Sequence, residues 1–351
     1  MPSTRIACLN LFDLMAAHGL DPVVLFEPAG PQPEPDVDGV VSRALAEGCD
    51  VVVFQKVRGA SVLRCVAQLR EKGVPSVYVV CDIVDDAMAA AAERTMTVTT
   101  YLRSLYAAAL QPRIDVVHDG IERPDLVRPG ASTSTARGLR AALVTSQPMY
   151  ALPVMGVPPA PWRVEVVGLY AGDARQRRRA LRWALMSEPS LLGRWRMARA
   201  ALHPRLQRTR WTPGGAYRAL LDADVGIIPI NRDDGSLDAT APVPAWQVKS
   251  ENRLTLKMAL GLPVVATPIP AYEAVLQHGV NGFFATTRSD WLRCLAMLRD
   301  PALRNEMGHR ARASVLDSFS VQRQAELFVR SIQQACLRPG AAMSLAADEL
   351  G

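Results

Sequence analysis

The chain reads as an α/β protein of two doubly wound, Rossmann-like domains that face each other across a cleft. Short Val-rich apolar runs alternate with longer segments of helical period along most of its 351 residues, the alternation breaks once, and it then resumes. Apolar runs without polar alternation fit a parallel sheet covered on both faces, and strand, helix, strand repetition fits parallel α/β units. Such sheets bind ligands outside the carboxyl ends of their strands. Two of them sharing a cleft would bring two substrates together.

In order along the chain, "PVVLFE" (22–27), "DVVVFQK" (50–56), "SVYVVCD" (76–82), "TMTVTT" (95–100) and "IDVVHDG" (114–120) read as strands, with helices over 60–72 and 101–110. These make an N-terminal domain, 1–122. The stretch 123–138, "RPDLVRPGASTSTARG", has no period and is rich in Pro, Gly, Ser and Thr, which marks a linker. A second series, 139–318, holds "LRAALVTS", "WRVEVVGLY", "LQRTRWT", "DVGIIPI", "LPVVATP" and "GFFAT" as strands. Helical patterns close it over 301–317 and 321–337, and the segment 319–337 is expected to pack back across the domains. The tail 338–351 offers little to pack.

Composition excludes several classes. Hydrophobic residues are 49% of the chain, yet no run approaches the ~18 consecutive apolar residues of a membrane span. The start, "MPSTRIACLNLFDLMAAHG", has charges inside its first apolar segment and does not read as a secretory signal. Cys8, Cys49, Cys65, Cys81, Cys294 and Cys336 form no C-x-x-C and have no His cluster beside them, so neither a disulfide framework nor a metal site is expected. A cytoplasmic location suffices. The formal charge of +6 does not point to nucleic acid, but arginine crowds the 175–210 region.

The chemistry concentrates in 249–276, "KSENRLTLKMALGLPVVATPIPAYEAVL". Lys249, Asn252 and Arg253 stand at the expected start of a helix, whose amides and dipole favour an anion. Lys249 and Arg253 are four apart and can face one side to offset a diphosphate. Thr267 and Pro268 follow the next strand, where small residues let backbone amides approach a ligand. Glu273, beyond the prolines, can accept hydrogen bonds from sugar or ribose hydroxyls. The plainer alternatives are a solvated helix start for the two cations and dipole compensation for Glu273. Met258 and Leu260 read as core.

This block, continued by "QHGVNGFFA" and by "LRDPALRNEMGHRARASVLDSFS", closely resembles the donor-binding half of GT-B glycosyltransferases, in particular the retaining glycosyltransferase family 4. The matching positions are Met258, Ala259, Gly261, Pro263 to Ala266, Glu273, Gly279, Gly282 and Asp300 to Arg312. The resemblance implies a metal-independent transfer from a nucleotide-diphosphate sugar, a co-substrate rather than a cofactor, to a small-molecule or glycan acceptor, with retention. It implies natural-product or cell-surface glycan biosynthesis as the setting. It places Lys249 and Arg253 on the leaving diphosphate and Asn252, Leu254 and Thr255 in the donor site. Thr212 falls where relatives hold the base, and Asn231 and Asp233 lie in a long loop at a strand end. Two glutamates that many relatives carry fall in register on Val248 and Leu256, and the glycine-rich phosphate loop of the first domain is missing. A divergent branch is therefore expected.

From the first domain, Asp82 stands where the family places a sugar-facing residue, and with Asp85 it can bind hydroxyls or accept a proton, or cap a helix. Gln55 and Lys56 end a strand, and Arg5 opens the first helix; these complete the expected acceptor side. The arginine-rich 175–210 region reads as an amphipathic helix pair with a solvated basic face, or as a peripheral contact with anionic lipid or an acidic partner. The rival readings of the whole are a nucleotide-sugar epimerase or hydrolase of the same architecture and a noncatalytic partner subunit.

Overall fold

The computed structural model describes residues 2–28, 30, 32–130, 138–145, 148–232 and 243–337. They divide into two compact units. The first gathers, among the described residues, 2–122, 243–250 and 319–337; the second holds 123–232 and 251–318. The division is thus not one cut at the linker, because the stretch ending at Ser250 groups with the first unit.

The first unit opens with α1 (Pro2–Ala7), a 3-10 turn (Leu9–Leu11), α2 (Phe12–Ala17) and α3 (Val40–Ala46). Four parallel strands follow in the spatial order of the chain: β1 (Val52–Gln55), β2 (Ser76–Val80), β3 (Arg94–Thr97) and β4 (Ile114–Val116). Helices α4 (Ala60–Glu71), α5 (Asp86–Ala91) and α6 (Thr100–Ser104) connect them. Because successive side chains leave a strand on opposite faces, Phe54, Tyr78 and Val80 pack with Val62, Val66 and Leu69 of α4, while Val77, Val79 and Met96 pack on the other side with Leu11 and Met15. Both faces are covered, so β2 is buried throughout.

Two local expectations fail here. The run 22–27 joins no sheet, and its Val23, Val24 and Phe26 are exposed. The helix expected over 101–110 ends at Ser104, since the Gln111 side chain takes the carbonyls of Ser104 and Tyr106 and stops further winding.

The second unit contains a six-stranded parallel sheet in the order β10-β9-β8-β5-β6-β7. Its strands are β5 (Arg140–Val144), β6 (Arg163–Gly168), β7 (Leu206–Arg210), β8 (Val225–Ile228), β9 (Val264–Ala266) and β10 (Phe283–Phe284). The chain winds outward from β5 to β7, returns to lay β8 beside β5, and winds outward again. The strand order therefore reverses between β5 and β8, and the carboxyl ends there form the crevice where doubly wound sheets bind ligands. Helices α7 (Ala174–Ser187), α8 (Leu191–Ala201), α9 (Pro213–Leu221), α10 (Asn252–Ala259), α11 (Pro270–Glu273), α12 (Arg288–Met297) and α13 (Pro301–Val315) complete the unit.

The last helix, α14 (Val321–Cys336), belongs to the first unit. Its Ala325, Phe328, Val329 and Ile332 cover Val77, Val79 and Met96. Ser331 donates to Asp115 at 2.6 Å, and Gln324 accepts from the His118 amide at 2.8 Å.

Candidate functional site

In the second unit the loop leaving β5 is pinned beside the reversal point. The Tyr170 hydroxyl accepts from the Met149 amide at 3.0 Å and donates to its carbonyl at 2.7 Å. Arg208 on β7 donates to the carbonyls of Met149 and Tyr150 at 3.1 and 2.6 Å, and burial lowers its pKa. Across the reversal, Thr267 after β9 is buried; its amide bonds the Ile228 carbonyl and its hydroxyl accepts from the Ile230 amide at 3.0 Å. Thr267 thus fixes the exit of β8, where Asn231 is exposed. Asp233 lies outside the described residues.

Helix α10 carries the expected cation and is held from behind by the Asp300 to Arg312 segment, in which Asp300, Arg304, Gly308 and Arg312 have mechanical roles. Asp300 caps α13 through the Ala302 amide at 2.8 Å. Buried Arg304 takes the carbonyls of Leu298 and Arg299 at the end of α12. Arg312 takes the Ala259 carbonyl at the end of α10, together with those of Leu126 and Pro124. Gly308 lies against the turn after α10: a Cβ there would stand 2.2 Å from the Gly261 carbonyl oxygen, and Gly261 itself has φ +76°. With its carboxyl end tied down, α10 presents a fixed amino end.

At that end no side chain caps the helix, and the first turn holds no acidic residue. Asn252 and Arg253 are half-buried. Among the described residues the Arg253 guanidinium makes no hydrogen bond or ion pair. One turn further, Lys257 is wholly buried against Gly226, its ammonium donating to the Arg253 carbonyl at 2.9 Å. Burial, and secondarily the Arg253 charge, press the Lys257 pKa down to about 7. Tyr272 of α11 is buried with its hydroxyl unbonded, its pKa pushed up to about 12 by burial, with Arg253 acting in the opposite sense.

Other expected donor residues take structural duties. Leu254 is core, and Thr255 donates back to the Asn252 carbonyl. Thr212 caps α9 through the Gly215 amide at 3.1 Å. Pro268 is half-buried, and Glu273 ends α11 exposed. Lys249 is not on α10: the helix begins at Asn252, and Lys249 sits half-buried in the preceding segment, in the first unit. The i, i+4 relation drawn from sequence needs both residues in one helix, so it does not apply. Tyr101 donates to Gln247 at 2.6 Å and Ser250 to Asp119 at 2.9 Å, which ties that segment to its unit.

In the first unit the carboxyl ends of β1 and β2 bring together Gln55, Lys56, Cys81 and Asp82. Lys56 and Asp82 form an ion pair at 2.7 Å. Burial works against the Lys56 ammonium, but Cys81 and Asp82 outweigh it and its pKa is raised. The same burial, with Asp82, pushes the Cys81 thiol up to about 12. Lys56 adopts φ 59°, a left-handed backbone that costs a non-glycine residue about 1–2 kcal/mol; such conformations cluster at functional sites. Thr4 donates to Gln55 Oε1 at 2.9 Å, leaving the buried Gln55 Nε2 without a partner. Arg5 pairs with Glu122, which also accepts from Asn10 at 2.6 Å. Asp85 accepts from the Met88 amide at 2.9 Å and caps α5.

Sequence reasoning missed Lys257 and Tyr272. Lys257 lies three residues after Leu254 and beside Met258, a helical spacing that turns it to the core and would have revealed it. Among the described residues no group of three or more His, Cys, Asp or Glu side chains could hold a metal, and no helix is long and apolar enough to cross a membrane.

Comparison with known proteins defines the class. Residues 173–330 match the family model described as glycosyl transferase-like. The fold is similar to Anabaena HepE solved in complex with UDP and glucose (13% identity, 92% of this chain and 88% of that one, TM-score 0.60). It is also similar to sucrose-phosphate synthase from Thermosynechococcus elongatus (14%, 92% and 91%, TM-score 0.58) and to a glycosyltransferase from Rickettsia africae (10%, 93% and 88%, TM-score 0.59). No curated protein matches the sequence. The chain has the GT-B fold of two Rossmann-like units.

Proposed function

We propose that the protein transfers a sugar from a nucleoside diphosphate sugar to a hydroxyl-bearing acceptor, with retention of configuration and without a metal. The observation that carries this is the amino end of α10: no side chain caps it, and beside the buried Glu251 the half-buried Arg253 guanidinium makes no hydrogen bond or ion pair among the described residues. A diphosphate would take these donors. As the bond from the anomeric carbon to the diphosphate breaks, Arg253 and the first-turn amides stabilise the developing charge. The acceptor oxygen forms the new bond, and its proton passes to the departing phosphate.

The second unit serves the donor and the first the acceptor. Asp82, held by Lys56, accepts from an acceptor hydroxyl, and the unpartnered Gln55 Nε2 donates to another. Because HepE was solved with UDP-glucose, uridine nucleotides are the first donors to try. The test incubates the protein with UDP-, GDP- and dTDP-sugars and follows thermal stabilisation and nucleotide release. One donor should stabilise it and be consumed. If alanine at both Lys249 and Arg253 leaves affinity for every nucleotide sugar unchanged, the reading fails.

A noncatalytic partner subunit is the second reading, favoured by the two positions where many relatives carry glutamate. Val248 is packed in the core of the first unit, and Leu256 packs against Leu260 and Leu262. Neither can grip a ribose. Stabilisation by a donor without turnover in any acceptor mixture would select it.

A further inference from the structure

We propose that helices α7 and α8 dock the protein on an anionic lipid surface, a property independent of the reaction proposed above. Across α7 and α8, residues 174–201, the chain has eight arginines and one acidic residue, Glu188. That excess is larger than the +6 of the whole chain, so the rest of the protein is net negative. The lone glutamate is engaged locally before α8, accepting from the Ser190 hydroxyl at 2.9 Å and from its amide at 3.3 Å.

A solvated basic face would account for the arginines but not for what stands among them. On α8, Leu191, Trp195 and Leu202 recur at helical spacing along one stripe, opposite the buried Ala200, and Leu191 and Leu202 are 81% and 86% exposed. Arg199 belongs to the same stripe and lies 5.4 Å over the Trp195 ring. On α7, which buries no residue, Trp183 and Met186 share a side with Arg179 and Arg182, and Trp183 is 72% exposed. Large apolar side chains held in water at such spacing mark an interaction surface. A nucleic acid would use the arginines and leave the leucines wet. A second copy would set arginine against arginine. A lipid interface suits the whole set: aliphatic tips and indoles enter the acyl boundary while guanidinium groups remain at the phosphates.

The test is sedimentation of the full chain with vesicles of phosphatidylcholine alone or mixed with phosphatidylglycerol, together with tryptophan emission. The protein should pellet only with the mixed vesicles, less so as salt rises, and its emission should shift to the blue. The triple substitution Trp183→Ala, Trp195→Ala, Leu202→Ser should weaken this on the order of tenfold or more. Its melting temperature serves as a check on folding. Arg179→Gln with Arg182→Gln, which keeps the apolar tips, should weaken binding as well and supports the proposal if the triple variant misfolds. No pelleting, pelleting unchanged in both variants, or pelleting without a blue shift would overturn it. So would tight binding to single-stranded DNA or an acidic peptide in the absence of any lipid binding.

Discussion

At the strand ends of the first unit Lys56 meets Asp82 at 2.7 Å and Arg5 meets Glu122, whereas at the amino end of α10 in the second unit Arg253 stands above Lys257 with no acid in the helix's first turn. Opposite charges that already face each other leave a near-neutral surface of donors and acceptors, suited to hydroxyl groups. A second cation one turn on is disfavoured by burial and by Arg253, which together hold the Lys257 pKa near 7. On the proposed function, the contrast would mean that charge balance, more than residue type, separates a hydroxyl-binding strand end from a diphosphate-binding helix end.

The sharpest way to break the contrast is Arg253→Ala. Turnover should fall about 10²–10³-fold, as when a single electrostatic stabiliser is lost, and the thermal shift given by the donor should vanish; Lys56→Ala should retain that shift. A donor shift surviving Arg253→Ala would mean that the anion binds elsewhere. Next in size, Asp82→Asn should raise the acceptor KM about tenfold, as when a hydrogen bond to a charged group is weakened, with the donor shift intact, as measured by nucleotide release at saturating donor. Equal loss of donor affinity would erase the division of labour.

Lys257→Met sharpens the same comparison through stability. The folded-state pKa of Lys257 lies near 7, below the usual 10.5, so between these values the unfolded chain binds a proton that the folded chain does not. Stability should therefore rise with pH across that window, by up to ~1.4 kcal/mol per pH unit from this one group. Urea unfolding at pH 7 and pH 9 should show wild type gaining relative to Lys257→Met, and the variant should be the more stable at pH 7. A constant difference between the two would show that Lys257 stays charged. The smallest effect is expected of Thr267→Val, which removes the acceptor of the Ile230 amide and should cost ~1–3 kcal/mol in the same assay.

Ten of the strands expected from sequence form, because runs such as "SVYVV" and "VGII" are buried on both faces and need no partner-specific information to be recognised. "PVVLFE" has the same composition but joins no sheet. Apolar content reports a tendency to be covered; pairing depends on neighbours that a single run does not encode. A residue's place was legible where it depends on local pattern, as at Arg253 on the first turn of its helix. It was not legible at Lys249, whose assignment to α10 required knowing that the helix starts three residues later. Nor did spacing reveal that the Asp300 to Arg312 segment serves as a brace, since its bonds run to the ends of α10 and α12, remote in sequence.

The placement of α14 bears on how the molecule is made. Val77, Val79 and Met96 are translated early, yet the helix that shields them emerges only after the whole second unit. On the ribosome the first unit must wait with one sheet face bare, while the second can close as soon as α13 clears the exit tunnel. A shortened gene ending after residue 318 should thus yield a sound second unit attached to an aggregation-prone first unit.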